Sequence, residues 1–315
     1  MANIDIQPCT WAEQQDELKA IRCEVFVREQ HVPIDEEFDE YEVKCQHWIA
    51  FVHEQAAGCI RLIKEKDAWR ISRLAVLAIH RQQGLGSALL NAATRYALSN
   101  KHRIQERIYM HAQTSAIVLY QKLDWQTEGP RFDEVGIEHQ RMCFITSAEN
   151  CERVFQAHVE RLAYPNHYLQ HFHTMAELSS KELLIYSQHL NEELFNQEPL
   201  IEALSLLARK NKHVHIRILV EDSQNLDLHA NHLVYLLRRL SSKISLHQLT
   251  DKHHLSLDYF MLFDKKRLLY FNNEKHFSGF ACYQAATEAL PLIEAFEHAW
   301  EHLSHADMNL RQLRI

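Results

Sequence analysis

Arg81, Gln82, Gln83, Gly84, Leu85 and Gly86 stand between an apolar run that ends at His80 and an Ala- and Leu-rich run that begins at Ser87. A strand leading through a short glycine turn into a helix aims free backbone N–H groups and the positive end of the helix dipole at one point, which makes an anion site. A phosphate held there must come close to the main chain, and a Cβ on Gly84 or Gly86 would obstruct it. Two other phosphate loops are excluded, because no G-K-[ST] follows and the first glycine of G-x-G-x-x-G is missing. The seven cysteines (Cys9, Cys23, Cys45, Cys59, Cys143, Cys151 and Cys282) are scattered and show no C-x-x-C. They encode neither a disulfide framework nor a zinc site, and reduced, mostly buried thiols are expected. His213 and His215 alternate with apolar residues and lack companion ligands at metal spacing, so no metal is expected.

The loop needs a strand before it and a helix after it, and the first half of the chain supplies both. "WAEQQDELKAIRCEVFVREQ" fits an amphipathic helix, and "HWIAFVHE" and "AAGCIRLIKEK" read as strands joined by a turn near Gln55 to Gly58. "WRISRLAVLAIH" is a longer strand ending at the glycine loop, and "GSALLNAATRYALSN" is the helix beyond it. "RIYMHA" is a strand, "SAIVLYQKLDW" a helix and "RMCFIT" a last strand. After about residue 147 a connecting helix, "SAENCERVFQAHVERLAY", opens a second series. There "KELLIYSQHL" is a strand, "PLIEALSLLARKN" a helix opened by Pro199, "HVHIRILVED" a strand and "LHANHLVYLLRRLSS" a helix. Strands "ISLHQL" and "LDYFMLFDKKRLLYF" and a terminal helix around "LPLIEAFEHAWEHL" complete it. The architecture is two α/β domains in series, 1–147 and 148–315.

Composition agrees with two ordinary globular domains. The 315 residues exceed what one core organises, and 46% apolar with 24% charged residues argues against disorder. A formal charge of -8 argues against a protein that wraps nucleic acid non-specifically. No apolar run approaches the length of a membrane span, and the N-terminus shows no basic segment followed by an apolar one, so no membrane partner and a cytoplasmic location are expected.

"RQQGLG", preceded by "RLAV", resembles the acyl-CoA pyrophosphate loop of the GNAT-type N-acyltransferases. "AQTSAIVLYQKLDW" resembles that family's second signature, with Gln113, Ala116 and Tyr120 on its positions. "EVFVREQHVP", "DEEFDEYEVKCQHWIAF" and "GPRFDEVGIEHQRM" are similar to the ElaA-like members. The resemblance covers about residues 1–147 and implies a GNAT-type mixed sheet flanked by helices. It implies acetyl-CoA as co-substrate, with the backbone of Leu74, Ala75 and Val76 on the pantetheine arm. The loop from Arg81 through Gln82, Gln83, Gly84, Leu85 and Gly86, together with Gln113, would complete the donor site. Tyr120 falls where the family keeps its general acid. A phenol, with its ordinary pKa near ~10, sits above a thiol at ~8.5 and can give the leaving sulfur a hydrogen bond or a proton. On the acceptor side Glu29, Asp39, His47, Glu134 and His139 are candidates to draw in an ammonium group and take its proton. Glu134, after the turn "EGPRF", and His47, opening a central strand, are preferred. Asp124 stands where the family has glycine, at a helix C-terminus that also accepts left-handed Asp.

The second half is similar to one half of a phospholipase D-like domain, a family whose chemistry needs H-x-K-x-x-x-x-D. With Asp264 on the aspartate position, the histidine position is Leu257 and the lysine position Tyr259, while His253 and His254 are out of register. Without nucleophile or phosphate-binding lysine the domain is read as inactive, a recognition or dimer-forming module. The leading function is an N-acetyltransferase that moves acetyl from acetyl-CoA to a small-molecule or peptide amine by direct attack in a ternary complex. The alternative is a non-catalytic CoA-sensing or adaptor protein whose C-terminal domain binds a partner or nucleic acid.

Overall fold

The structure is a computed structural model that describes residues 4–100, 106–156, 158–222, 231–250, 258–273 and 275–306. The chain divides into two units, Met1–Asn150 and Cys151–Ile315. The first runs β1 (Ile4–Cys9), α1 (Trp11–Arg22), a π-helical stretch (Cys23–Glu29), α2 (Ile34–Glu37), β2 (Gln46–Val52), β3 (Gln55–Lys64) and β4 (Ala68–Val76). It continues through α3 (Leu85–Ser99), β5 (Arg107–Gln113), α4 (Ile117–Gln121), β6 (Trp125–Glu134) and β7 (Ile137–Phe144). The strands form one sheet in the order β1-β2-β3-β4-β5-β7-β6. Only β4 and β5 pair in parallel, over Ala68–Ile71 against Arg107–Met110.

That pairing stops short for a local reason. Arg73 takes a left-handed φ of 55°, and the β3–β4 register slips between Cys59 and Arg61, so β4 carries a bulge there. A bulge bends and twists its strand. Past Ile71 the two parallel strands part, and the edge of β4 that faces β5 is left unpaired.

Helices hold the two faces of this sheet. On one, Leu18, Ile21 and Val25 pack with Ile49, Cys59 and Ala75. On the other, Leu89, Leu90, Ala93 and Ala97 of α3 are buried, and Tyr96 meets Trp48 and Trp69 edge-on. Full burial of each Leu or Ile is worth about 1.5–3 kcal/mol, so α3 is anchored along its length by its Ala/Leu face.

The second unit contains most of α5 (Ala148–Phe155), followed by β8 (Val159–Leu162), α6 (Pro165–Leu178), β9 (Glu182–Ser187), α7 (Glu192–Phe195), α8 (Glu198–Arg209) and β10 (His215–Val220). It ends with α9 (His232–Arg239), β11 (Ile244–Leu249), β12 (Tyr259–Phe263), β13 (Arg267–Asn273), β14 (Ser278–Cys282), α10 (Ala289–His302) and β15 (Ser304–Ala306). Its mixed sheet has the order β15-β11-β10-β9-β12-β13-β14-β8. Leu292, Phe296 and Ala299 of α10 pack against Leu184, Tyr186, Leu219 and Phe260.

Several expectations change. The run "LDYFMLFDKKRLLYF" is a hairpin, since Asp264 and Lys265 both take positive φ and reverse the chain. The β2–β3 turn is the pair His53–Glu54, again both left-handed, rather than Gln55 to Gly58. The connecting segment holds a helix and then β8, while β1, β6, α6 and β14 were not anticipated.

Candidate active site

Where β4 and β5 part lies a cleft of about 420 Å³. Its walls include Arg73 and Leu74 of β4, His111 and Gln113 of β5, and Tyr120 of α4. Glu134 and His139, near the tip of the β6–β7 hairpin, close one side, and Phe26 of the π-helical stretch with Gln30 just beyond it close another. Of the seven residues of this stretch, Phe26 alone lines the cleft; Gln30 beyond it accepts a hydrogen bond from Gln113 Nε2 at 2.7 Å.

Beyond the end of β4, α3 begins without a side-chain cap. Gly84, its N-cap, has φ 87°, a left-handed conformation that L side chains resist. The first intrahelical bond runs from Ala88 N–H to the Gly84 carbonyl at 3.0 Å, which leaves the N–H groups of Leu85, Gly86 and Ser87 without intrahelical acceptors. The two glycines differ. A Cβ on Gly86 would meet only Val76 Cγ2 at 3.9 Å, ordinary contact, whereas at Gly84 the space is open and the backbone is the obstacle. Leu85 is 1% exposed, so it can offer a ligand only its main chain. On β4, Ala75 and Val76 pair with Cys59 and Gly58 of β3, and among the described residues no strand pairs with their other edge. Gln82 has φ 61°, and Gln83 Nε2 donates to the Ile79 carbonyl at 3.1 Å. The side chain of Arg81 is committed within the protein: Nε donates to the Val76 carbonyl at 3.0 Å, and the guanidinium pairs with Glu29. Glu29 and Arg81 therefore neutralise each other.

Tyr120 lines the cleft and is nearly buried, and its hydroxyl has no hydrogen-bond partner among the described residues. Burial pushes its phenol up to about 12. Across the cleft, Glu134 Oε2 lies 3.1 Å from His111 Nδ1, and the hydrogen bond from His111 holds the Glu134 carboxyl below its ordinary range. His111 sits edge-on to Phe132, with ring centroids 4.9 Å apart. His139 directs Nδ1 at the Ile137 carbonyl, 2.8 Å away. Asp124 has φ 69°, the left-handed backbone expected of it.

His47 does not belong to the site. It is 1% exposed, its Nε2 bonds to the Glu42 carbonyl at 2.9 Å, its ring packs on Trp11, and burial pushes its pKa down. It opens β2, which is second from the edge of the sheet rather than central, and it sits beside a buried ionic network. In that network Arg22 bonds to Glu37 at 2.6 Å and to both oxygens of Glu42 at 2.8 and 2.9 Å. Arg61 bonds to Asp39 at 2.7 and 2.9 Å and to Glu42 at 2.8 Å. Although burial pushes Asp39 up, Arg61 holds it below its usual range, so this cleft-lining carboxylate is committed as a partner rather than available as a base. His111 was missed by reading the sequence. The only signal for it was its alternation with Ile108, Met110 and Ala112 in "RIYMHAQ", which puts it on the opposite face from those buried residues.

In the second unit Asp264 accepts hydrogen bonds from the backbone N–H groups of Ser180, Lys181 and Glu182 at 2.9, 2.9 and 3.0 Å. It fastens a turn, which replaces the catalytic aspartate position suggested for it. The Tyr259 hydroxyl donates to Glu221 at 3.2 Å. Leu257, His253 and His254 lie outside the described residues. Among the described residues no three His, Cys, Asp or Glu side chains are grouped to hold a metal, and no helix is long and apolar enough to cross a membrane.

Residues 12–145 match the family described as "Acetyltransferase (GNAT) domain", and residues 164–313 match "Domain of unknown function (DUF7931)". The latter match gives the second unit no phospholipase D-like identity. "Uncharacterized N-acetyltransferase YjcF" of Bacillus subtilis (strain 168) is 30% identical over 135 residues, which is 42% of this chain and 94% of that protein. "Uncharacterized protein YyaT" of the same organism is 32% identical over 136 residues, 42% of this chain and 89% of that one. Among solved structures, Escherichia coli ElaA aligns with a TM-score of 0.41 at 22% identity, over 45% of this chain and 100% of its own.

Proposed function

The chain belongs to the GNAT acetyltransferase family through residues 12–145, and from that premise we propose that it is an N-acyltransferase that moves acetyl from acetyl-CoA to a small-molecule or peptide amine by direct attack in a ternary complex. The observation that carries this reading is the parting of β4 from β5 beside an uncapped, glycine-led helix start, with the unbonded Tyr120 phenol in the same cleft. The residues fit the co-substrate: the edge of Leu74 to Val76 that no strand covers suits the amide groups of a pantetheine arm, and the amides from Gln82 to Gly86 suit a pyrophosphate. When bound, acetyl-CoA supplies the activated thioester carbonyl. Tyr120, with its phenol near 12, stays protonated at neutral pH and gives the departing sulfur a hydrogen bond. Full proton transfer would run uphill against a thiol near ~8.5, so the hydrogen bond is its main contribution.

For the second unit we propose a non-catalytic role as a recognition or dimer-forming module. Its support is that Asp264, the carboxylate singled out there from the sequence, is spent on backbone amides.

Tyr120→Phe tests the enzyme reading. With acetyl-CoA and a panel of primary amines, release of free CoA should fall on the order of a hundredfold while acetyl-CoA affinity stays within about twofold. A protein that binds acetyl-CoA, releases no CoA with any amine and is indifferent to the substitution would be the CoA-sensing alternative instead.

A further inference from the structure

We propose that His111 is the proton acceptor for the attacking amine, and that Glu134 positions it. The inference rests on the acetyltransferase reading above and names the residue which that reading leaves open. Glu134, ionised and with its pKa held down, can only accept, so the proton between the two residues sits on His111 Nδ1. The Nε2 lone pair is then free, with no partner among the described residues, on a ring that lines the cleft shared with Tyr120. An imidazole arranged this way takes a proton on Nε2, and the carboxylate behind it stabilises the imidazolium that forms.

Several other groups that face this space or flank His111 are less suited. Glu134 has its carboxylate engaged and its basicity lowered. Asp39 is clamped by Arg61, and Glu37 by Arg22 and Arg73. His139, on β7, leans on a neutral carbonyl, which stabilises an imidazolium less than a carboxylate does. Tyr109, beside His111 on β5, is bonded to Glu65 at 2.9 and 3.0 Å.

The step balances. The amine nitrogen forms its bond to the acyl carbon, the carbon–sulfur bond breaks, and the N–H proton moves to His111 Nε2. The thiolate leaves under the Tyr120 hydrogen bond and takes a proton from solvent, and His111 returns its own to solvent.

Two readouts on the full chain test this. Long-range proton–nitrogen NMR, with the His111 signals identified by their loss in His111→Gln, reports the tautomer without any turnover. The expected result is a proton on Nδ1 in neutral His111, and a shift of that proton toward Nε2 in Glu134→Ala, because the carboxylate that accepts it is gone. The kinetic readout uses acetyl-CoA with spermidine, benzylamine and an alanine-initiated peptide, following free CoA. His111→Gln should lose about a hundredfold in kcat. Glu134→Ala, which frees the ring to take the other tautomer, should lower kcat about tenfold while KM for acetyl-CoA stays within about twofold. A proton on Nε2 in the native ring, an unmoved tautomer in Glu134→Ala, or native turnover in His111→Gln overturns the proposal. If the native chain does not bind acetyl-CoA, the acetyltransferase reading fails; if it binds but none of the three amines is consumed, the NMR result alone decides the pair.

Discussion

Arg22 and Arg61 are 1% and 2% exposed, and their charges survive burial only because Glu37, Glu42 and Asp39 meet them with short, mostly paired hydrogen bonds. Removing one partner of such a set strands a charge away from water, at a cost of about 3–5 kcal/mol. Glu42→Gln should therefore lower the melting midpoint of the first unit on the order of 10 °C, and a change below about 2 °C by calorimetry would contradict the network's role. The same scale explains what could be read in advance. Gly84, Gly86 and Tyr120 act through their own backbone or side chain and sit in contiguous motifs, so residue type and spacing exposed them. His111 draws its meaning from Glu134, a partner 23 positions away. His47 misled for the converse reason, since its place at the start of β2 says nothing of the Glu42 and Trp11 that enclose it.

Elements carry the site through their irregularities. The bulge at Arg73 opens the cleft, the π-helical stretch leads to Gln30 at its wall, and the two-residue turn Val135–Gly136 ends the hairpin that brings Glu134 to His111. Val135 is the strained member of that turn: a β-branched residue at φ 56° carries a penalty of roughly 1–2 kcal/mol. Val135→Asn, which tolerates that backbone, should raise stability by about 1 kcal/mol in denaturant titration, and a loss of stability would show that the valine is held by contacts worth more than its strain. Strands and helices with a clear apolar period were legible, among them β2, β4, β9, β10 and the body of α3. β6 was not, because its exposed, charged sequence "WQTEGPRFDE" holds no sustained alternation and contains Gly129 and Pro130. The β12–β13 hairpin was hidden by its turn, where Asp264 and Lys265 do at positive φ what glycine or asparagine more often does.

At the scale of the whole chain, two units with separate sheets follow one another, and only the first belongs to a family with a named chemistry. Two α/β domains were foreseeable from length and from the change of character near residue 147. The pairing order of the second sheet was not, since it depends on long-range neighbours such as β9 with β12 and β14 with β8. The central proposal concerns the first unit: that the cleft beside β4 and the start of α3 together hold acetyl-CoA. Gly86→Ala isolates that claim, because the added Cβ makes only an ordinary contact, 3.9 Å from Val76 Cγ2, so the variant should fold like the native chain. A thermal-shift titration of the full chain with acetyl-CoA is the direct measurement. At about a hundred times the dissociation constant, binding contributes ~2.7 kcal/mol and should raise the first unit's midpoint by roughly 5 to 10 °C. The account predicts this shift in the native chain, and in Gly86→Ala an unchanged midpoint without ligand together with at least a tenfold weaker response. A native chain that does not respond at any concentration, or a Gly86→Ala chain that responds like the native one, would contradict it.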